Sequence, residues 1–221
     1  MEPKKSIRRE ANQNADRRAN PSIRVMIVDD SLTVRTVFSR LVESDPTLEL
    51  ASTASNAERA IAILRDKPVD VILLDLEMPG MGGLEALPTI LKTAERAKVL
   101  VVSSLTEDGA EHTVAALSMG AADTMLKPRP GGFDDTYRAN LLEKIKALGG
   151  AKKIARREAD KPSVIACPSG KAKAPEVIAI GASTGGIHAI NLMLRELSHS
   201  CTLPIVITQH LPSNFIPVFA R

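Results

Sequence analysis

The sequence predicts an α/β fold, a doubly wound five-stranded parallel sheet followed by the first part of a second α/β unit. Three observations carry that expectation. Short β-branched runs alternate with helical patterns five times between Ile23 and about Gly149, the pattern of a parallel sheet covered on both faces. A stretch rich in Gly, Pro, Lys and Ala then breaks the alternation, which restarts at Glu176. The 221 residues exceed one ordinary domain, since domains hold roughly 100 to 200 residues.

The predicted strands of the first unit are IRVMIV, LELAST, DVILL, KVLVV and ADTML. Ser31 precedes the helix LTVRTVFSRLVES as a cap, and Ser55 with Glu58 spells a capping box before AERAIAILRD. In that second helix Ala60, Ile61 and Leu64 form an apolar stripe that faces the sheet. The organisation expected is a disordered basic tail over 1–21, a domain over 22–148, a linker over 149–175, with a short helix at Lys152–Glu158, and an incomplete domain over 176–221. In the last segment EVIAI and PIVITQ read as strands and IHAINLMLREL as the helix between them.

Composition excludes several classes. Hydrophobic residues make up 44% and charged residues 25%, and no apolar run approaches the ~18 residues of a membrane span. The N-terminus has no apolar stretch of the secretory kind, so a cytoplasmic, non-inserted protein is expected. Two cysteines without metal-type spacing fit a reducing compartment. A net charge of +3, four Phe, one Tyr and no Trp offer neither a basic reading helix nor stacking platforms, so nucleic acid is not an expected partner.

The chemistry-bearing residues of the first unit sit where predicted strands end: Asp29 and Asp30, Asp75, Ser103 and Lys127. In open parallel sheets, sites form outside the carboxyl ends of the strands. Gathered carboxylates repel one another unless a cation compensates them, and a hard divalent ion with oxygen ligands, Mg²⁺, is the natural candidate. With a phosphoryl donor held there, a carboxylate can act as nucleophile while a lysine and a hydroxyl hold the transferred oxygens, and Asp75 is placed for attack. Singly, each Asp is most simply a cap or turn residue. The ordered set VDD, LDLEMPGMGG, VVSS and KP is far more specific.

That set resembles a two-component receiver domain of flavodoxin-like fold over residues 22–148. The resemblance implies that Asp75 accepts phosphate, that Asp30 and Asp75 bind Mg²⁺ with the Glu77 backbone carbonyl, and that Asp29 helps through water. It makes Ser103 and Lys127 the phosphate-sensing pair and implies a cis bond between Lys127 and Pro128. One departure is Thr124, three residues before Lys127, where the family's switch usually carries an aromatic.

In the second unit Gly181-Ala182-Ser183-Thr184-Gly185 fits G-x-S-x-G between a predicted strand and helix. Ser183 would be exposed beside a helix N-terminus, and His210 after the next strand could take its proton. A phosphate-binding or merely tight turn is the alternative, although neither dinucleotide nor P-loop spacing is present. IAIGASTGG with ITQHLPSNF, placed after a receiver and linker, resembles the Rossmann-like hydrolase domain of the CheB family of chemotaxis methylesterases. The resemblance implies Ser183 as nucleophile, His210 as base and Thr184 beside the oxyanion site. It also implies hydrolysis of glutamate methyl esters, with glutamine deamidation, on methyl-accepting chemoreceptors, under control of a chemotaxis histidine kinase. The family's triad aspartate has no counterpart after Asp160 in these 221 residues, so the expected activity of this span is weak or nil. A non-enzymatic receiver module serving as phosphate sink or docking protein is the rival expectation.

Overall fold

A computed structural model describes residues 22–104, 106–128, 132–158, 175–183, 186–197, 201–209, 211 and 215–219. The basic tail and most of the expected linker lie outside these residues. The first unit runs β1 (Ile23–Val28), α1 (Leu32–Ser44), β2 (Leu48–Ala54), α2 (Ala57–Asp66), β3 (Val71–Asp75), α3 (Gly83–Thr93), β4 (Lys98–Ser103), α4 (Glu107–Met119), β5 (Asp123–Leu126) and α5 (Asp135–Glu158). The strands are all parallel in the order β2-β1-β3-β4-β5. Strand order therefore reverses between β1 and β3, which opens a crevice at their carboxyl ends.

Alternation along the strands divides the core in two. Met26, Val28, Ile72, Leu74, Val99 and Val101 face α2, α3 and α4, where Ala60, Leu64, Leu87, Ile90 and Leu117 meet them. Val25, Ile27, Val71, Leu73, Leu100 and Val102 face the opposite way, onto Phe38 and Val42 of α1 and Leu141 and Ile145 of α5. Both faces are covered, so these strands are near-continuous apolar runs and not half-polar ones.

Three local expectations need correction. The cap of α2 is Asn56, whose Oδ1 accepts from Arg59 N at 2.9 Å, and not the Ser55–Glu58 box. Asn caps as well as Ser, and with the helix starting at Ala57 the Glu58 side chain falls one position short of the box. The Lys127–Pro128 bond is not cis: the described residues contain no cis peptide. Lys127 reaches the site in the trans form, with its backbone N–H held by Ser103 O at 2.7 Å. The short helix expected at Lys152–Glu158 is the end of the single helix α5.

The second unit has β6 (Ile178–Ala182), α6 (Gly186–Glu196), β7 (Ile205–Gln209) and α7 (Ile216–Phe219), with β6 and β7 paired in parallel from Ile178↔Ile205 to Ala182↔Gln209. It is a short parallel α/β segment, as the alternating pattern predicted. Its helix docks on the first unit: Ile187 joins the cluster that contains Ala116, Leu117 and Ala121. Asn191 Nδ2 donates to Ser118 Oγ at 3.0 Å, and His188 Nδ1 lies 3.3 Å from Ser118 O.

Candidate functional site

The crevice is built from three loop starts. After β1 the chain turns through Asp29 and Asp30 into α1, and Asp29 Oδ1 accepts from Ser31 N at 2.8 Å while Ser31 caps the helix. Arg35 clamps the same turn by donating to the carbonyls of Asp29 and Asp30 at 2.6 and 2.8 Å. After β3 the LEMPGMGG loop folds back on itself, with Gly83 N donating to Leu76 O. A Cβ on Gly83 would stand 2.0 Å from the Asp75 carbonyl oxygen, so only glycine permits this approach. Gly80, at φ +77°, takes the left-handed corner of the loop.

These turns bring carboxylate oxygens of Asp29, Asp30 and Asp75 within 4.8 Å of one another. Asp29 and Asp75 are buried, whereas Asp30 is exposed. Lys127 Nζ donates to Asp75 Oδ2 at 2.6 Å and stands 3.4 Å from Asp29 Oδ2. Asp75 Oδ1 accepts from Glu77 N at 3.0 Å. Burial pushes the Asp75 carboxyl up to about 6 against the pull of Lys127, and burial raises Asp29 as well. Burial alone would lower Lys127, but its hydrogen bond and attraction to Asp75, with Asp29 behind, raise it instead.

One ammonium faces three carboxylates here, and Asp29 Oδ2 is buried without a hydrogen-bond partner. That orphaned oxygen and the all-oxygen donor set fit a hard divalent cation such as Mg²⁺. Asp29, Asp30 and Asp75 are the residues to hold it. Such an ion would supply charge compensation that the single Lys127 does not complete.

Ser103 is fully buried at the end of β4, where its hydroxyl pairs with Thr113 at 2.7 Å. Glu77 accepts from Ser104 Oγ, and Ser104 in turn meets Thr106 Oγ1 at 2.8 Å, the cap of α4. The sequence pattern did not single out Thr113, Ser104 or Thr106. Ser104 and Thr106 flank a strand end and could have been noticed there, whereas Thr113 lies inside a helix and carries no motif.

Ser183 is exposed at the carboxyl end of β6, and its carbonyl accepts from Gly186 N at 2.8 Å and Gln209 Nε2 at 3.0 Å. With Leu211 it borders a cleft of about 560 Å³ whose opposite wall is Thr124, Lys127, Tyr137 and Lys144 of the first unit. His210 and Thr184 lie outside the described residues.

Comparison with known proteins agrees with this layout. Residues 25–132 match the response regulator receiver domain family and residues 178–221 the CheB methylesterase family. A protein-glutamate methylesterase/protein-glutamine glutaminase of Caulobacter vibrioides is 41% identical over 203 residues, covering 90% of this chain and 58% of that protein. A protein of the same description, of the group 2 operon of Rhodospirillum centenum, is 39% identical over 229 residues, covering 89% of this chain and 58% of its own length. The chain thus spans under two thirds of these relatives. Among solved structures, the response regulator domain of Thermotoga maritima CheB superposes with a TM-score of 0.52 at 38% identity, covering 58% of this chain and 97% of that one. The chain is CheB-like: a response regulator receiver domain joined to part of a CheB methylesterase domain.

Proposed function

We propose that this chain is a chemotaxis response regulator, phosphorylated on Asp75 by a histidine kinase in the cytoplasm, that controls hydrolysis of glutamate methyl esters and deamidation of glutamines on chemoreceptors. The observation that carries the first half is the convergence of Asp29, Asp30, Asp75 and Lys127 in one buried crevice. In the transfer, an Asp75 carboxylate oxygen forms a bond to phosphorus as the bond from phosphorus to the donor breaks. Bound Mg²⁺, on Asp29, Asp30, Asp75 and the Glu77 carbonyl, would supply stabilisation of the transferring oxygens. Lys127 now occupies Asp75 Oδ2, so it must slide from the carboxylate to the incoming phosphoryl oxygen. That movement and the Ser103 hydroxyl make these two the sensing pair. A test is incubation of the chain with a small phosphodonor and Mg²⁺, with acid-stable labelling mapped by mass spectrometry. Asp75 should carry the phosphate, and labelling that persists in Asp75→Ala refutes the assignment.

For the second half, Ser183 is the proposed nucleophile, His210 its base and Thr184 a neighbour of the oxyanion site. The exposed Ser183 at a strand-to-helix turn supports that reading. Because the matched methylesterase segment is partial, the 221 residues by themselves should release methanol from methylated receptor only in traces. Robust turnover abolished by Ser183→Ala would show that the span is competent. The rival reading, a receiver acting as phosphate sink or docking protein, is favoured by the exposed faces of β6 and β7 and predicts no turnover under any condition.

A further inference from the structure

Two buried hydroxyls lie side by side behind the phosphoacceptor. Ser103 and Thr113 are both fully buried, and their side-chain oxygens are 2.7 Å apart. Thr113 Oγ1 is also 2.6 Å from Gly109 O, one turn back in α4. Thr113 Oγ1 is thus the donor toward both Ser103 Oγ and Gly109 O, and its one proton is shared between a hydroxyl oxygen and a carbonyl oxygen. The Ser103 hydroxyl oxygen is therefore held toward α4 by the bond it accepts.

The Ser103 backbone is fixed. Its strand pairs with β3 through Asp75↔Val102, and its carbonyl accepts from Lys127 N at 2.7 Å. Only the hydroxyl is free to rotate. At the place of the usual aromatic stands Thr124, 3% exposed, whose Oγ1 has no hydrogen-bond partner. It offers no ring to swing, whereas Thr113 touches Ser103 directly. Five residues along the same helix, Ser118 meets Asn191 and His188 of α6. That helix begins at Gly186, whose N–H is bonded to Ser183 O. Helix α4 thus contacts the sensing hydroxyl at one point and the second unit at another.

We propose that Thr113 is a positioning residue that latches the Ser103 hydroxyl in the unphosphorylated protein, and that its release passes to α6 through α4. The proposal rests on Asp75 being the phosphoacceptor. When Ser103 turns to a phosphoryl oxygen, Thr113 loses that acceptor, the resting hydrogen bond is broken, and α4 is freed to shift against the sheet.

The test uses the whole chain with Mg²⁺ and beryllofluoride, a non-covalent mimic of the phosphoryl group, with affinity read by calorimetry. Thr113→Val keeps the side-chain shape and removes the hydroxyl, so it should bind beryllofluoride about fivefold tighter, the equivalent of one net hydrogen bond lost from the resting state alone. Thr113→Ser keeps the hydroxyl and should bind as the unsubstituted protein does. In a Ser103→Ala background affinity should fall, and adding Thr113→Val should change nothing more. Equal affinity of Thr113→Val and the unsubstituted chain overturns the latch, and so does an undiminished fivefold gain without Ser103. Hydrogen exchange on the unsubstituted chain gives a second measurement that no folding defect can spoil. Beryllofluoride should change the exchange of amides in α4 and α6 at least about twofold, and an unaltered α6 overturns the coupling. Beryllofluoride binding that Asp75→Asn does not abolish would remove the phosphoacceptor reading and the latch together. Binding that Asp75→Asn abolishes but Thr113→Val leaves unaltered removes the latch alone.

Discussion

The receiver unit and the segment that follows it are written in the same βα alphabet, yet they bury their strands very differently. In β3 every residue from Val71 to Asp75 is buried, because α1 and α5 cover one face and α2, α3 and α4 the other. In β6 and β7 burial only alternates between partial and exposed, and Val206 is 55% accessible. The lesson is that parallel strands gain their stability from cover on both faces and from neighbours on both edges, and not from β-branched sequence as such. The segment compensates by lending Ile187 to the receiver's core, and with Ile187 and Ile190 both buried its helix is better covered than its sheet.

The sharpest way to break this contrast is a matched pair of truncations. Ile72→Ala in β3 removes a fully buried side chain and should cost about 2–5 kcal/mol in urea unfolding, whereas Val206→Ala in β7 should stay within about 0.5 kcal/mol. Similar losses at both positions would mean that β7 is covered in solution. Limited proteolysis tests the same point with a smaller expected effect: residues 22–148 should survive while everything after Pro175 is cut about a hundredfold faster. A C-terminal part of equal resistance would place the two units in one cooperative body.

Charge burial sharpens the contrast from the other side. The Asp75 carboxyl is held up near 6 by burial, above the value it has in an unfolded chain. A raised carboxyl pKa gives stability that is fully present below the unfolded value near 3.8 and lost as pH rises through about 6. Without metal, Asp75→Asn should therefore gain on the unsubstituted protein between pH 4 and 8, by on the order of 2 kcal/mol. Taking the difference between the two proteins cancels groups such as Asp45, whose pKa is lowered because Lys146 and Thr47 outweigh its burial. A flat difference over that range would mean that Lys127 fully compensates Asp75. Added Mg²⁺ should remove the penalty, since its ligands must be ionised. The smallest effect is at the contact between the units. Asn191→Ala loses the bond to Ser118 and should speed α6 amide exchange by about fivefold, the equivalent of roughly 1 kcal/mol.

The strand ends, the five-stranded parallel sheet and the meeting of Asp29, Asp30, Asp75 and Lys127 were legible from the chain alone, whereas the strand order is read from the structure. Short apolar β-branched runs and turn chemistry are local, and a parallel sheet forces residues at successive strand ends to one edge. Less local features were not. The cap of α2 moved by one residue to Asn56, because the adjacent Ser55 and Asn56 offer near-equal caps and only the helix start selects between them. The partner of the Ser103 hydroxyl, the tie from Glu77 through Ser104 to Thr106, and the docking of α6 on α4 needed coordinates. A hydroxyl proton follows whichever acceptor lies within about 3 Å, and that distance is set by how separate helices pack and not by any pattern along the sequence.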